Sequence, residues 1–428
     1  MYRLDAGFRT APTYATPALE RKVPDDSDNK PDHLRGTSQL TVEAVLAVVD
    51  IVEAMHRTIS TFGGLLAGGQ LDRTTGLTGM VYRNIRAVTN LVGAGIDVAL
   101  EEFAERLNES GPTSANESLL AAVNGVLGDY LVATDNPLAI PMEFRQDGRA
   151  VSADDAKLHA AVRKAGGRVL LMVHGSSSND LQWLRKGHDH GQALAEELGY
   201  VPIYLRYNSG RHISENGADL AALLDGFTAE LPELTELSIL AHSMGGLVAR
   251  SACHYAEEAG HAWRERLRNL VFLATPHHGA LLERSGNWLH QILQISAYSA
   301  PISRLAKIRS AGVTDLRYGN LVHEDWRDCE RFELSTDCRQ PVPLPKGVAC
   351  YAVAATTAAT STYVTDHVVG DGLVQLDSAL GRHEDPKYDL GLDEAHQFVA
   401  RRCSHLDVLC KPEVYEVLGN WLTSRKPA

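Results

Sequence analysis

The sequence predicts an α/β fold: a mostly parallel central sheet flanked by helices, with a helical N-terminal extension and a helical insertion late in the chain. After Pro141, short apolar runs alternate with longer amphipathic stretches, the pattern of strands joined by helical crossovers. One apolar run, LSILAHS, breaks at Ser243 into a small-residue turn and then a helix-compatible segment, LSILAHSMGGLVARSAC. A serine on a sharp strand-to-helix turn needs small neighbours where the backbone reverses, and Ala241, Gly245 and Gly246 supply them. Polar residues also gather at the predicted carboxyl ends of several strands, where ligands bind in open sheets of this kind.

Composition sets the outer bounds. The 428 residues, 44% hydrophobic and 22% charged, can bury one large domain with additions. A net charge of -13 argues against general affinity for nucleic acid or anionic membranes. No stretch of 18 uncharged apolar residues occurs, so no permanent membrane attachment is expected. The opening MYRLDAGFRTAPTYATPALE has no apolar core of a secretory signal, and the expected location is cytoplasmic. Cysteines 253, 329, 338, 350, 403 and 410 show no paired C-x-x-C spacing, so mostly buried thiols are expected. Cys329 and Cys338 could close a small loop.

In chain order, residues 1–40 carry Pro12, Pro17, Pro24 and Pro31 among mixed charges and read as an extended arm. Helical patterns over 41–59, 79–108 and 116–132 form an N-terminal helical unit, 41–135, expected to pack against the rest. GAGIDV inside it lacks the third glycine of a dinucleotide loop and lies within a helical pattern, which excludes a cofactor role there. Residues 136–428 make the main domain, with strands at MEFRQDG, RVLLMVHG, VPIYLRYN, LSILAHS, LRNLVFLATP and GVACYAVAATT. Between about 281 and 345, Trp288, Leu289, Ile292, Leu293, Ile295, Tyr298 and Ile302 recur at mostly helical spacing. This insertion reads as a lid or acyl-pocket wall, the alternative being a helix packed on the core.

The candidate site is built around Ser243. A serine hydroxyl is a poor nucleophile until a general base takes its proton and a third group orients that base. YVTDHVVGDGLVQLDSAL offers Asp366, Asp371 and Asp377; Asp371, in a tight turn between Gly370 and Gly372, is the first choice and Asp366 the fallback. RRCSHLDVLCKPEVYEVLGNWL places His405 on a late loop before a final helix, with Asp407 assigned to stabilising that loop. Small residues after RVLLMV allow the backbone N–H of Ser176 to pair with that of Met244 as oxyanion donors. His174, Gly175 and His242 border this site, with His277 and Trp288 as further substrate contacts. Asn208 and Arg211 in RYNSGRHISENG shape the rim. His277 with His278, and the HDH at 188–190, read as packing or supporting histidines rather than metal ligands, since no carboxylate or thiolate has matching spacing.

Taken together, VHGSSSNDLQW, RYNSGRHISENG, AHSMGGLVARSACH, LATPHHGALLER and GDGLV resemble the α/β-hydrolase superfamily. The resemblance is to its lipase and esterase branch, including bacterial lipases and hydrolases similar to glycosylphosphatidylinositol inositol-deacylase. It covers about Pro141 to Trp421 and departs from the usual motif at Ala241. It implies an eight-stranded type of sheet, no organic cofactor and acyl-enzyme chemistry on a hydrophobic acyl-ester substrate. The order Ser243, Asp371, His405 is the one this fold uses. The same three residues could cleave amides or transfer an acyl group to an alcohol, and an inactive hydrolase fold used for binding is the reading of a different class.

Overall fold

The computed structural model describes Leu100, Ala104 and residues 113–280, 310–327, 337, 339–360 and 370–423. The arm at 1–40, the helical patterns at 41–59 and over most of 79–108, Trp288, Cys329, Cys338 and Asp366 lie outside the described residues.

The third N-terminal helical pattern becomes α1 (Ser114–Ala133), started by the Thr113 hydroxyl, which accepts from the Asn116 N–H at 3.1 Å. A hairpin of β1 (Glu143–Gln146) and β2 (Arg149–Ala150) follows, then α2 (Ala156–Lys164) and β3 (Arg168–Val173). Three strand-helix units come next: α3 (His190–Leu198) and β4 (Val201–Arg206), α4 (Ile213–Glu230) and β5 (Glu236–His242), α5 (Met244–Ala259) and β6 (Leu267–Leu273). The described remainder is α6 (Ala311–Asp315), β7 (Ala349–Thr356), α7 (Leu376–Ala379), β8 (Gln397–Arg401) and α8 (Pro412–Thr423).

The eight strands form one sheet in the order β2-β1-β4-β3-β5-β6-β7-β8. β1 runs antiparallel to both β2 and β4, and every pairing from β4 to β8 is parallel. The continuous apolar runs have a direct cause, because both faces of a parallel sheet are covered by helices. Val169, Leu171 and Val173 of β3 join one core with α4 and α5, while Leu170 and Met172 join the other with Trp183 and α8. β8 breaks this pattern. It is half buried at the sheet edge, and its sequence QFVAR lacks the apolar runs of the central strands β3 to β7.

α1 is wired into the sheet domain. The Asn124 amide donates to the Leu138 carbonyl at 2.8 Å and accepts from the Ile140 N–H at 2.9 Å. Glu117 receives Arg206 of β4 at 2.7 Å. At Gly125 the helix meets the loop after β3 so closely that a Cβ would lie 2.0 Å from Ser177 Oγ and 2.8 Å from Ser177 Cα. Within the insertion, α6 is pinned to α1 by the Ser310 hydroxyl donating to the Gly125 carbonyl at 2.6 Å and by the Ala311 N–H donating to Asp129 at 3.1 Å. Asp315, Leu321 and Val322 are buried, so this part of the insertion belongs to the packed body.

Candidate active site

Ser243 stands between the last residue of β5 and the first of α5, with φ 53° and ψ -126°. Few side chains adopt this backbone conformation, and it persists where surrounding contacts over-determine it. The Ser243 N–H donates to the Leu273 carbonyl at 2.8 Å, and its own carbonyl accepts from the Gly246 N–H at 3.0 Å. A Cβ at Gly245 would meet the carbonyl oxygens of Val173 and His174 at 2.5 Å, so the turn requires glycine there. Ala241, the departure from the usual motif, is fully buried within β5 opposite Val173 and Phe272. Ser243 is partly exposed while His242 and Met244 are buried, which leaves the serine the open residue of the turn.

Two further loops meet here. After β7, Gly370 (φ 53°) and Gly372 (φ 100°) bracket Asp371, whose Oδ1 accepts from the N–H groups of Leu373 at 2.9 Å and Val374 at 2.8 Å. Its Oδ2 lies 2.7 Å from His405 Nδ1, on the loop after β8, and the His405 N–H donates to the Asp371 carbonyl at 3.2 Å. Both side chains are buried. A carboxylate at Nδ1 selects the Nδ1–H tautomer and leaves Nε2 with its lone pair. The loop carrying His405 is tied back to Ser243: His242 Nε2 donates to the His405 carbonyl at 3.0 Å. Asp407 holds the same loop, accepting from the Ser404 hydroxyl at 2.7 Å and from Lys186 at 2.8 Å.

The loop after β3 closes the other side. A Cβ at Gly175 would lie 3.0 Å from Ser243 Cβ, which brings the HGSS segment against the serine. His174 is buried, stacks on Tyr207 at 4.3 Å and donates from Nδ1 to the Gly175 carbonyl at 2.8 Å; burial lowers its pKa to about 4, so it is neutral. Ser177 (φ 54°) donates its N–H to Ser209 Oγ at 2.9 Å, fixing the loop beyond Ser176. No described residue accepts from the backbone N–H of Ser176 or Met244, and the latter sits at a helix start, where such groups lack intrahelical acceptors.

The remaining sequence candidates have partners of their own. Asn208 spends its amide on the Gly128 carbonyl at 3.0 Å and the Gly210 N–H at 3.0 Å, which joins β4 to α1. Arg211 pairs with Asp219 and, at 3.5 Å, with Glu215 of α4. His277 and His278 are buried beyond β6 beside Arg250 and Arg339, and burial pushes His277 well below the ordinary imidazole range. In the HDH stretch, Asp189 caps α3, and His190 accepts from His188 at 2.8 Å while donating to the Val408 carbonyl at 2.8 Å. These residues support the His405 loop from behind. Among the described residues, no three His, Cys, Asp or Glu side chains gather as a metal cluster, and no helix is long and apolar enough to cross a membrane.

Sequence reasoning missed the partner of His242, since nothing in AHSMGG says that its ring reaches a carbonyl 163 residues away. The strand order, with its antiparallel first hairpin, and the strained serine between β5 and α5 decide the architecture.

This is an α/β-hydrolase fold.

Residues 138–316 match a family model described as a domain of unknown function, DUF7379. No curated protein matches the chain. Among solved structures, the chain is similar to the propeptide form of the Bacillus licheniformis lipase BlEst2, at 17% identity over 61% of this chain and 52% of that one, with a TM-score of 0.41. It thus spans about half the length of that propeptide form. Aspergillus fumigatus lipase B is similar at 12% identity over 86% of each chain, TM-score 0.39. The phospholipase PlaB from Legionella pneumophila in complex with thio-NAD is similar at 17% identity over 50% of this chain and 44% of that one, TM-score 0.31.

Proposed function

We propose that the protein is a serine carboxylic-ester hydrolase, acting on acyl or lipid-like esters through Ser243, His405 and Asp371. The observation that carries this reading is the buried 2.7 Å contact between His405 Nδ1 and Asp371, on a loop held by the residue that precedes the strained Ser243. His405 Nε2 takes the serine proton as Oγ attacks the ester carbonyl carbon. Asp371 keeps the imidazole in the tautomer that can accept and stabilises the imidazolium that forms. Its other oxygen accepts from two backbone N–H groups, which fixes the orientation of the carboxylate toward the imidazole.

The negative charge on the former carbonyl oxygen is received by the N–H groups of Ser176 and Met244. Removing one donor of this kind costs about 10²- to 10³-fold in turnover. His405 then protonates the leaving alkoxide, giving the free alcohol and the acyl-enzyme. Water, deprotonated by the same imidazole, attacks the acyl carbonyl and releases the acid while the proton returns to Ser243. The finer likeness to glycosylphosphatidylinositol inositol-deacylase rests on sequence motifs alone, and polyesters are included only as members of the ester class.

The test is hydrolysis of p-nitrophenyl esters from acetate to palmitate by wild type and Ser243→Ala. Turnover lost with the hydroxyl supports the nucleophile, and the chain-length optimum defines the acyl pocket. Absence of wild-type turnover across the series, with retained action on amides or on acyl transfer to alcohols, replaces the ester-hydrolase reading.

A further inference from the structure

A cavity of about 160 Å³ has none of Ser243, His405 and Asp371 in its walls. Its lining includes Arg250, His277, His278, Arg339, Lys387 and Tyr388. Arg250 rises from the second turn of α5 and is 4% exposed. One end of its guanidinium donates to the Val342 carbonyl and to His277 Nδ1, the latter at 3.2 Å. Its Nε is buried without a partner, and no carboxylate lies within ion-pair distance of Arg250 among the described residues. Buried charge is normally paired, because an isolated ion loses its hydration for nothing.

Arg339 adds a second guanidinium. It donates to the carbonyls of His277, at 2.9 Å, and Tyr318, faces His278 Nδ1 at 3.1 Å, and has Asp337 3.3 Å from its Nε. The two imidazoles accept these donors at Nδ1, which places their protons on Nε2; His277 Nε2 is buried and unpartnered. Both histidines therefore remain neutral and offer no counter-charge. At the rim Lys387 is exposed, 3.2 Å from Asp385 and 4.6 Å above the Tyr388 ring. Asp389, also at the rim, spends its carboxylate on the N–H groups of His383 at 3.0 Å and Gly391 at 2.8 Å. Burial and the neighbouring Arg339 lower the Arg250 pKa to about 9, as a cation lacking a counter-ion requires.

We propose that this cavity binds a phosphate-type oxyanion, as free phosphate or as a small phosphate monoester. Arg250 supplies the uncompensated charge and its unpartnered Nε, Lys387 at the rim supplies a further donor, and Arg339, whose donors are engaged, adds positive charge. Two planar guanidinium groups and an ammonium suit a tetrahedral anion, which accepts from several directions, better than a planar carboxylate. A bound anion would join α5, which begins at Met244, to the segment 339–343 across the cavity. Its primary effect is on stability rather than on chemistry.

The full-length protein is titrated with inorganic phosphate by calorimetry and by thermal unfolding, with ionic strength held constant by sodium chloride. One-site saturable binding is expected, with a rise in Tm of about 2–4 °C at phosphate well above Kd. Acetate should give neither. Arg250→Gln should abolish both effects, and Lys387→Ala, a rim change, should weaken binding about 3- to 10-fold with ester turnover unchanged. If Arg250→Gln does not fold, Lys387→Ala and Lys387→Glu decide, with weaker binding expected in the order Ala then Glu. Glycerol 1-phosphate as a second probe separates the sources: binding extends the site to monoesters, and exclusion limits it to the free ion. A phosphate effect equal to that of chloride at matched ionic strength overturns the proposal. So does phosphate binding that survives unchanged in Arg250→Gln or in both Lys387 variants.

Discussion

Replacing Ser243 by glycine should stabilise the protein while destroying its activity. The serine holds φ 53° and ψ -126°, where a side chain costs about 1–3 kcal/mol and glycine costs almost nothing. Glycine also gives the unfolded chain more freedom, at a cost to stability of about 0.5–1 kcal/mol. Comparison with Ser243→Ala cancels the lost hydroxyl, because alanine keeps the Cβ and therefore the strain. The difference leaves Ser243→Gly more stable than Ser243→Ala by up to about 2.5 kcal/mol, with a midpoint of about 1 kcal/mol. At roughly 2 °C per kcal/mol for a chain of this size, Tm should be higher for Ser243→Gly by about 2 °C and by at most about 5 °C. Urea and thermal unfolding of the two variants, alongside ester turnover, provide the assay. Both should lose turnover on the order of 10⁶-fold. If Ser243→Gly is no more stable than Ser243→Ala, the turn is not strained by its side chain and the argument that this backbone is held for function fails.

Asp371→Asn should lower kcat by about 10³- to 10⁴-fold with little change in KM, since the amide can hold the wrong imidazole tautomer; an equal rise in KM would point to lost binding instead. Gly125→Val forces a side chain into Ser177, next to the proposed oxyanion donor Ser176, and should cut kcat by about 10²-fold in a protein whose circular dichroism is retained; unchanged kcat would separate α1 from the site. Acid should destabilise the fold well before its carboxylates protonate. Burial lowers the pKa of His174 and His190 to about 4 and of His278 to about 3, with His242 and His277 also well below the ordinary value. The unfolded chain takes up protons near pH 6.5 that the folded chain refuses, so the stability is complete above pH 6.5 and is lost as pH falls toward 4. Each such histidine contributes a slope approaching about 1.4 kcal/mol per pH unit. A urea midpoint that stays flat between pH 7 and 5 would contradict this.

Local sequence determined the strand cores and the turn at Ser243, because each depends on residues adjacent in the chain. RVLLMV and LSILAH carry unbroken apolar runs, VLLMV and ILA, since each strand faces two cores, and Gly245 stands two residues after Ser243 because two carbonyls of the β3 end leave no room for a Cβ. Glycines around Asp371 and the late position of His405 were legible for the same reason. β8 was not legible: at a half-buried edge, QFVAR needs no continuous apolar run. Tertiary structure alone decided the contacts made across long sequence separations. It brings Asp371 to His405, ties His405 to His242, seats α1 on Ser177, and turns Asn208 and Arg211 to structural partners. It also gathers Arg250, Arg339 and Lys387 around one cavity, although they come from three distant parts of the chain. Residue type and spacing specify what a side chain can do, but burial and partner geometry determine which of those things it does.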